Sequence, residues 1–371
     1  MWRGRGIARP AVLLAGLALL CSVGSAPAST AASAPAATQR AFVPFRVHGQ
    51  PMRAISVTDL KQFASMSIPD MQRLKDDGFN TLTMYVFRTL ADHTANQQTT
   101  GIITEPDALL AAAIDRAHAL GLAVTLTPTV WVYDGVGAFW WRGWLYPTDR
   151  AAFFDSYRDM IVHYADLATA HHVELFGIGS ELRSLEGETA QWKATAAVAR
   201  QHYAGPLTYF AVPQTAAAIR WWSVIDYPGI SAYLSLSPDA SPGYDEIAGS
   251  WRRTQLPTVR RLAASIGRPL MASEIGYSSA DGAATRPSDN GSGVPNEQLQ
   301  ADLYRALLGV ALTDPAFDGV SLWRWNPSRT GPTNADFSPK GKLAECVVAR
   351  AWGAPTSGTL SQCVAYGRVL G

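Results

Sequence analysis

Two apolar runs of β type in this chain end on a carboxylate: Leu175-Phe176-Gly177-Ile178-Gly179-Ser180-Glu181-Leu182, and Arg268-Pro269-Leu270-Met271-Ala272-Ser273-Glu274-Ile275-Gly276-Tyr277. A parallel sheet in which two strands each deliver a Glu from the C-terminal end brings the two carboxyl groups together. Such a pair can protonate a departing oxygen, attack an anomeric carbon and then activate water, which is what cleavage of a glycosidic bond requires. Aromatic residues crowd the same strand ends: Trp131 and Tyr133, Trp140, Trp141 and Trp144, Tyr233, Tyr277, Trp323 and Trp325. Sugar rings present apolar C–H faces rimmed by hydroxyls, so indole platforms beside carboxylates suit a saccharide cleft. For Trp140, Trp141, Trp144, Trp221 and Trp222, packing of the outer loops is the competing account.

The elements that must position these groups follow from periodicity. Short β-type runs at 53–57, 81–88, 123–129, 174–179, 207–212, 229–234, 269–274 and 319–325 alternate with amphipathic helical stretches. One helix is expected over 69–77, and another carries Leu109, Leu110, Ala113, Ile114, Ala117 and Leu120 at helical spacing. The alternation predicts the α/β class and a single (β/α)8 TIM barrel. An open doubly wound sheet would announce itself by a glycine-rich phosphate turn after the first strand; Gly177-x-Gly179 lacks the third glycine and lies in the wrong unit. In a barrel the C-terminal strand ends carry the chemistry and the N-terminal ends the stability. Glu174, Asp226 and Asp318 therefore read as bottom-face caps or ion pairs, and Glu181 and Glu274 as the reacting pair. Asp92, Asp134, Asp239 and Asp336 are reserves in top-side loops, and Arg88, ending the second strand, is either a hydroxyl-binding residue or a structural ion-pair partner.

The chain opens with Arg3, Arg5 and Arg9, an apolar run over 11–20, and Ala26-Pro27-Ala28 and Ala34-Pro35-Ala36. This predicts a signal peptide and low-complexity spacer over 1–40, then a catalytic domain over 41–371 with a disulfide-tied C-terminal tail. The apolar run is too short for a bilayer core of ~30 Å, and Cys21 follows Leu19-Leu20 where a lipid-anchor signal wants small residues. A secreted protein, extracellular or periplasmic and without stable membrane insertion, is expected. Lys and Arg total 31 against 30 Asp and Glu, and this net charge of +1 gives no electrostatic case for nucleic acid. The pairs Arg252-Arg253 and Arg260-Arg261 read as a solvated helical face. Cys346 and Cys363 are the cysteines left after export, and an oxidising compartment favours their pairing. His118, His163, His171, His172 and His202 fall on helical segments and no His-Glu-x-x-His occurs, so neither a metal site nor a cofactor is expected. No protein partner is implied.

Trp141-Arg142-Gly143, Phe153-Phe154-x-x-Tyr157, Gly177-Ile178-Gly179-Ser180-Glu181-Leu182-Arg183-Ser184, Ile225-Asp226-Tyr227-x-Gly229-Ile230-Ser231-Ala232-Tyr233, Ser273-Glu274-Ile275-Gly276-Tyr277 and Leu322-Trp323-Arg324-Trp325-Asn326-Pro327 together resemble glycoside hydrolase family 113. The resemblance spans nearly all of 41–371 in the right order. It implies a retaining barrel glycosidase, chiefly a β-1,4-mannanase, with Glu181 as acid/base and Glu274 as nucleophile. The chain departs from the family pattern at Thr127-Pro128-Thr129, where Lys-Pro-His is frequent, and at Ala211-Val212-Pro213, where an Asn-Trp-like pair is frequent. Ser180 stands where many relatives place Asn before the acid/base. The expected substrate-binding set is Arg88, Trp131, Ser180, Tyr233, Trp323 and Trp325, with Tyr233 steadying Glu274 as an anion and Trp323 as the floor of the sugar site. A retaining β-glucanase, xylanase or transglycosylase on the same fold, and a carbohydrate-binding barrel that turns nothing over, are the alternatives.

Overall fold

The computed structural model describes residues 42–61, 68–101, 103–133, 139–291, 293–354 and Cys363. The segment expected to be a signal peptide and spacer lies outside the described residues, as does Asp134. Among them, ten strands form one sheet. β1 (Arg46–Val47) and β2 (Gln50–Val57) make an antiparallel hairpin. β3 (Thr81–Leu90), β4 (Ala123–Tyr133), β6 (Leu175–Ser180), β7 (Leu207–Ala211), β8 (Tyr227–Ser231), β9 (Leu270–Ile275) and β10 (Phe317–Leu322) follow in parallel, and β10 pairs with β2 to close the ring. The two-residue β5 (Phe139–Trp140) folds back antiparallel on the end of β4. Helices α1 (Ile68–Asp76), α2 (Asp107–Ala119), α3 (Arg150–Ala170), α4 (Thr189–His202), α5 (Pro213–Ala216), α6 (Tyr244–Ser250), α7 (Leu256–Ile266), α8 (Glu297–Ala311) and α9 (Leu343–Ala351) alternate with the barrel strands. The fold is a single (β/α)8 barrel.

Local chemistry sets these boundaries. Asp149 accepts from Ala152 N at 3.0 Å to start α3, and Asn296 accepts from Leu299 N at 2.9 Å to start α8. Gly267, at φ 79°, ends α7, which buries Leu256, Val259, Leu262 and Ala263 on one stripe. At the barrel base one device recurs. Glu174 accepts from Val124 N at 2.8 Å, Asp226 from Leu207 N at 2.7 Å and Asp318 from Phe45 N at 2.8 Å. Each carboxylate satisfies a backbone donor of a neighbouring segment and pairs with His118, Arg200 or Arg46 respectively.

Inside the barrel, small hydroxyl side chains take much of the space that bulky branched residues usually fill. Thr83 and Ser321 hydrogen-bond at 2.8 Å, with Ser56 at 3.3 Å from Ser321. A Cβ at Gly177 would lie 2.8 Å from Thr127 Oγ1, so the strands come close there. Three expected strand ends shift. The strand expected over 229–234 leaves the sheet after Ser231, where Tyr233 N turns back to Ser231 O at 3.0 Å. The strand expected over 319–325 ends at Leu322, and the strand expected to stop at 129 runs on to Tyr133 because β5 pairs with its end.

Candidate active site

Glu181 stands one residue beyond β6 with φ at 56°, a left-handed conformation uncommon outside glycine. Such a residue costs about 1–3 kcal/mol and must be held by its surroundings. Glu181 N donates to Phe210 O at 2.7 Å, and Leu182 N donates to the Tyr209 hydroxyl at 3.0 Å. Tyr209 in turn donates to the buried Glu186 at 3.1 Å. Trp192 and Trp221, stacked at 4.9 Å, donate to Leu185 O and Glu186 O and wall this network off. Burial pushes Glu186 up to about 7, against the hydrogen bonds of Thr215 and Tyr209.

Glu274 lies within β9, its Oε2 accepting from Tyr85 at 2.6 Å and its Oε1 from Tyr233 at 3.0 Å. Burial first, and the Glu274 charge second, push both tyrosines well above their ordinary range, so each keeps its proton and donates it. Arg142 joins the two acids. One of its nitrogens, Nη2, is 3.1 Å from Glu181 Oε2 and 3.8 Å from Glu274 Oε2. Those two oxygens are thereby within about 7 Å of each other, so the two carboxyl groups face one another across one guanidinium nitrogen. Trp141 Nε1 donates to Glu181 Oε2 at 3.0 Å. Burial, and next the Glu181 charge, push Glu274 up to about 7, while Arg142 and the two tyrosines oppose the rise. Glu274 thus takes up a proton as pH falls through about 7.

The other expected residues divide. Trp131 is half-buried at the mouth, edge-on to Phe87 at 5.7 Å, and Trp323 is half-buried, edge-on to Tyr85 at 5.5 Å. Three assignments are corrected. On β3 the Tyr85 side chain enters the barrel, so Arg88, three residues on, points to the helical layer, where it lies over the Tyr164 ring at 5.4 Å. Ser180 is fully buried; its carbonyl and hydroxyl hold Arg142 at 3.0 and 3.3 Å and leave no hydroxyl for a sugar. Trp325 is 2% exposed and packs in the core, and Tyr277 is buried against Tyr304. Trp221 and Trp222 are packing residues as well. Of the reserve acids, Asp92 closes a turn by accepting from Thr94 N at 2.6 Å, Asp336 pairs with Lys342 at 3.2 Å, and Asp239 is exposed. Among the described residues no group of His, Cys, Asp and Glu could hold a metal ion, and no helix is long and apolar enough to cross a membrane.

Sequence reasoning missed Tyr85, Glu186 and the role of Arg142. Tyr85 shares its inward parity with Thr81 and Thr83, which was the available signal.

A closed (β/α)8 barrel with two facing carboxylates at its strand ends, joined by one guanidinium and bordered by aromatic rings, defines a glycoside hydrolase. The pattern of Glycoside Hydrolase Family 113 matches residues 60–342, and the chain belongs to that family. Among solved structures, the family 113 β-mannanase AaManA of Alicyclobacillus acidocaldarius, bound to ManMIm, is 28% identical with a TM-score of 0.72, the match covering 82% of this chain and 97% of that one. A further family 113 β-1,4-mannanase is 21% identical, the match covering 82% of this chain and 98% of that one, with a TM-score of 0.70. A family 5 mannosidase from Rhizomucor miehei is 12% identical over 82% and 92%, TM-score 0.57. At those identities the last two speak for the fold alone. No curated protein matches the chain.

Proposed function

We propose that the protein is a secreted retaining glycosidase that cleaves β-1,4-linked mannan or its oligosaccharides by double displacement. The observation that carries this reading is the placement of Glu181 and Glu274 on strand ends within reach of one buried guanidinium. Glu274, which receives the two tyrosyl hydroxyls, attacks the anomeric carbon, and the C–O bond to the leaving sugar breaks as Glu181 passes its proton to the departing oxygen. Water, deprotonated by Glu181, then attacks the glycosyl ester, expelling the Glu274 carboxylate and giving retained configuration. Support for mannan as substrate comes from the 28% identical Alicyclobacillus β-mannanase. Support for export comes from the basic, apolar and small-residue order of the first 40 residues.

Azide separates the two acids. With an activated aryl β-mannoside, Glu181→Ala should still glycosylate, and azide should restore turnover to give the retained glycosyl azide. Glu274→Ala should lose turnover, and azide should return only the inverted product. Inverted azide from the Glu181 variant would reverse the assignment, and loss of all activity of the unaltered protein across mannans, glucans and xylans would remove it.

A further inference from the structure

The chain just past β6 is closed into a loop by one tyrosine. Glu181, at φ 56°, leads into Leu182 and the short 3-10 turn Arg183–Leu185, and that turn ends on Glu186. Tyr209, entering from β7, touches both ends of the loop with one hydroxyl. Its oxygen accepts from Leu182 N at 3.0 Å, and its proton goes to Glu186 Oε1 at 3.1 Å. Room for it exists because Gly179 stands at φ 152°: a Cβ there would lie 3.2 Å from the Tyr209 ring and 2.6 Å from the Tyr157 hydroxyl. The far end of the loop is fixed separately, by Trp192 Nε1 on Leu185 O at 2.8 Å and Trp221 Nε1 on Glu186 O at 2.9 Å.

A phenolic hydroxyl can turn its proton either way in the ring plane. Facing a backbone N–H, only the orientation that presents the oxygen lone pair bonds; the opposite one sets two protons against each other. The Glu186 carboxyl selects the first, because it accepts the proton on the other side. Burial, and next the Glu186 charge, hold Tyr209 well above its ordinary range, so the proton stays on the phenol and is donated. Packing alone does not call for a carboxyl here, since Glu186 is 3% exposed and an apolar side chain would fill the space without the cost of burying an acid.

We propose that Glu186 is a positioning residue for the acid Glu181: through the Tyr209 hydroxyl it fixes Leu182 N, and with it the left-handed turn that aims Glu181 at the departing oxygen. The inference rests on the glycosidase reading and on Glu181 as the acid. Without its acceptor the Tyr209 proton is free to turn toward Leu182 N, the hydrogen bond just behind the strained residue is lost, and Glu181 relaxes toward an ordinary φ. Glu274 keeps its own partners, Tyr85 and Tyr233, neither of which belongs to this loop. The defect is therefore selective: proton donation suffers and nucleophilic attack does not.

Leaving-group dependence tests it. The full-length protein is given aryl β-mannosides graded from 2,4-dinitrophenyl, which leaves without a proton, to phenyl, which needs one, and kcat/KM is followed because it reports the glycosylation step. Glu186→Ala and Tyr209→Phe should each lower kcat/KM on the phenyl glycoside by about tenfold or more, and on the dinitrophenyl glycoside by about threefold or less. Glu186→Gln keeps an oxygen where the Tyr209 proton points and should recover most of the phenyl loss. Equal losses on the two substrates overturn the proposal by making Glu186 a residue of general stability, and no loss on either overturns it by leaving the turn held without Glu186. A Glu186→Gln variant as impaired as Glu186→Ala also overturns it, since the bond to Tyr209 is then not what matters. Glu186→Ala, which leaves Tyr209 in place, decides if Tyr209→Phe does not fold. An unaltered protein that cleaves neither the aryl glycosides nor β-1,4-manno-oligosaccharides overturns the glycosidase reading and the proposal with it, a result distinct from an active enzyme with equal losses.

Discussion

Arg142 is what allows two carboxylates to share a water-poor pocket. Its side chain is 12% exposed, and it faces Glu181 and Glu274 together. Removing one member of a buried charge cluster leaves the others uncompensated, typically at a cost of about 3–5 kcal/mol. Arg142→Met should therefore destabilise the protein by that order and lower kcat/KM on an activated aryl glycoside a hundredfold or more. The pH profile should move as well. Burial and the Glu181 charge already lift Glu274 to about 7, and Arg142 opposes the lift. Glu274 attacks as an anion, so the unaltered enzyme should lose activity as pH falls through about 7 and Glu274 takes up a proton; without Arg142 that limb should move to higher pH. A limb that stays in place while the rate falls would show that Arg142 acts only on substrate.

At the scale of the element, the turn after β6 is clamped from behind by β7 and the aromatic wall. Glu186, raised to about 7 chiefly by burial, sits in that clamp. A carboxyl whose folded pKa lies above its unfolded value of ~4.3 contributes stability that is complete below that value and lost as pH rises through about 7, at most ~3–4 kcal/mol here. Melting temperature should fall between about pH 5 and 8, and Glu186→Gln, neutral throughout, should flatten that fall; an equally steep fall in the variant would place the cause elsewhere. The carboxylate pair was legible in the sequence because each Glu ends a continuous β-type run, and the basal acids because each begins one. Arg88 was misplaced because its strand end was read without parity: with Tyr85 inward, a residue three along must face the helices. Arg142 belongs to a loop, and no period says where a loop returns, so only the resemblance marked it, while Trp141 stood out merely as one of several aromatics at the mouth. Glu186 was invisible because its partners, Tyr209 and Trp221, come from units that only the closed barrel brings together.

At the scale of the molecule, the first and last barrel units meet at a seam. β10 pairs with β2, Arg73 of α1 forms a two-pronged ion pair with Glu345 of α9, and Cys346 of α9 is joined to Cys363 with Cα atoms 6.0 Å apart. The bridge spans 17 residues, and in the chain-entropy model a loop of this size is worth about 3 kcal/mol. Replacing both cysteines with serine should lower the melting temperature by several degrees with activity kept at permissive temperature, and titration of the denatured, unreduced protein should find neither Cys346 nor Cys363 free. An unchanged melting temperature would deny the bridge a share in holding the seam.

The hairpin of β1 and β2 enters at the barrel base, where Phe45 N meets Asp318 and both Phe42 and Phe45 pack edge-on against Tyr227. That is the face opposite Glu181 and Glu274. A solid support or affinity tag coupled just ahead of Phe42 would thus hold the enzyme by its back, with the mouth turned to the bulk solution and open to polymers too large to reach an enzyme fixed by its rim.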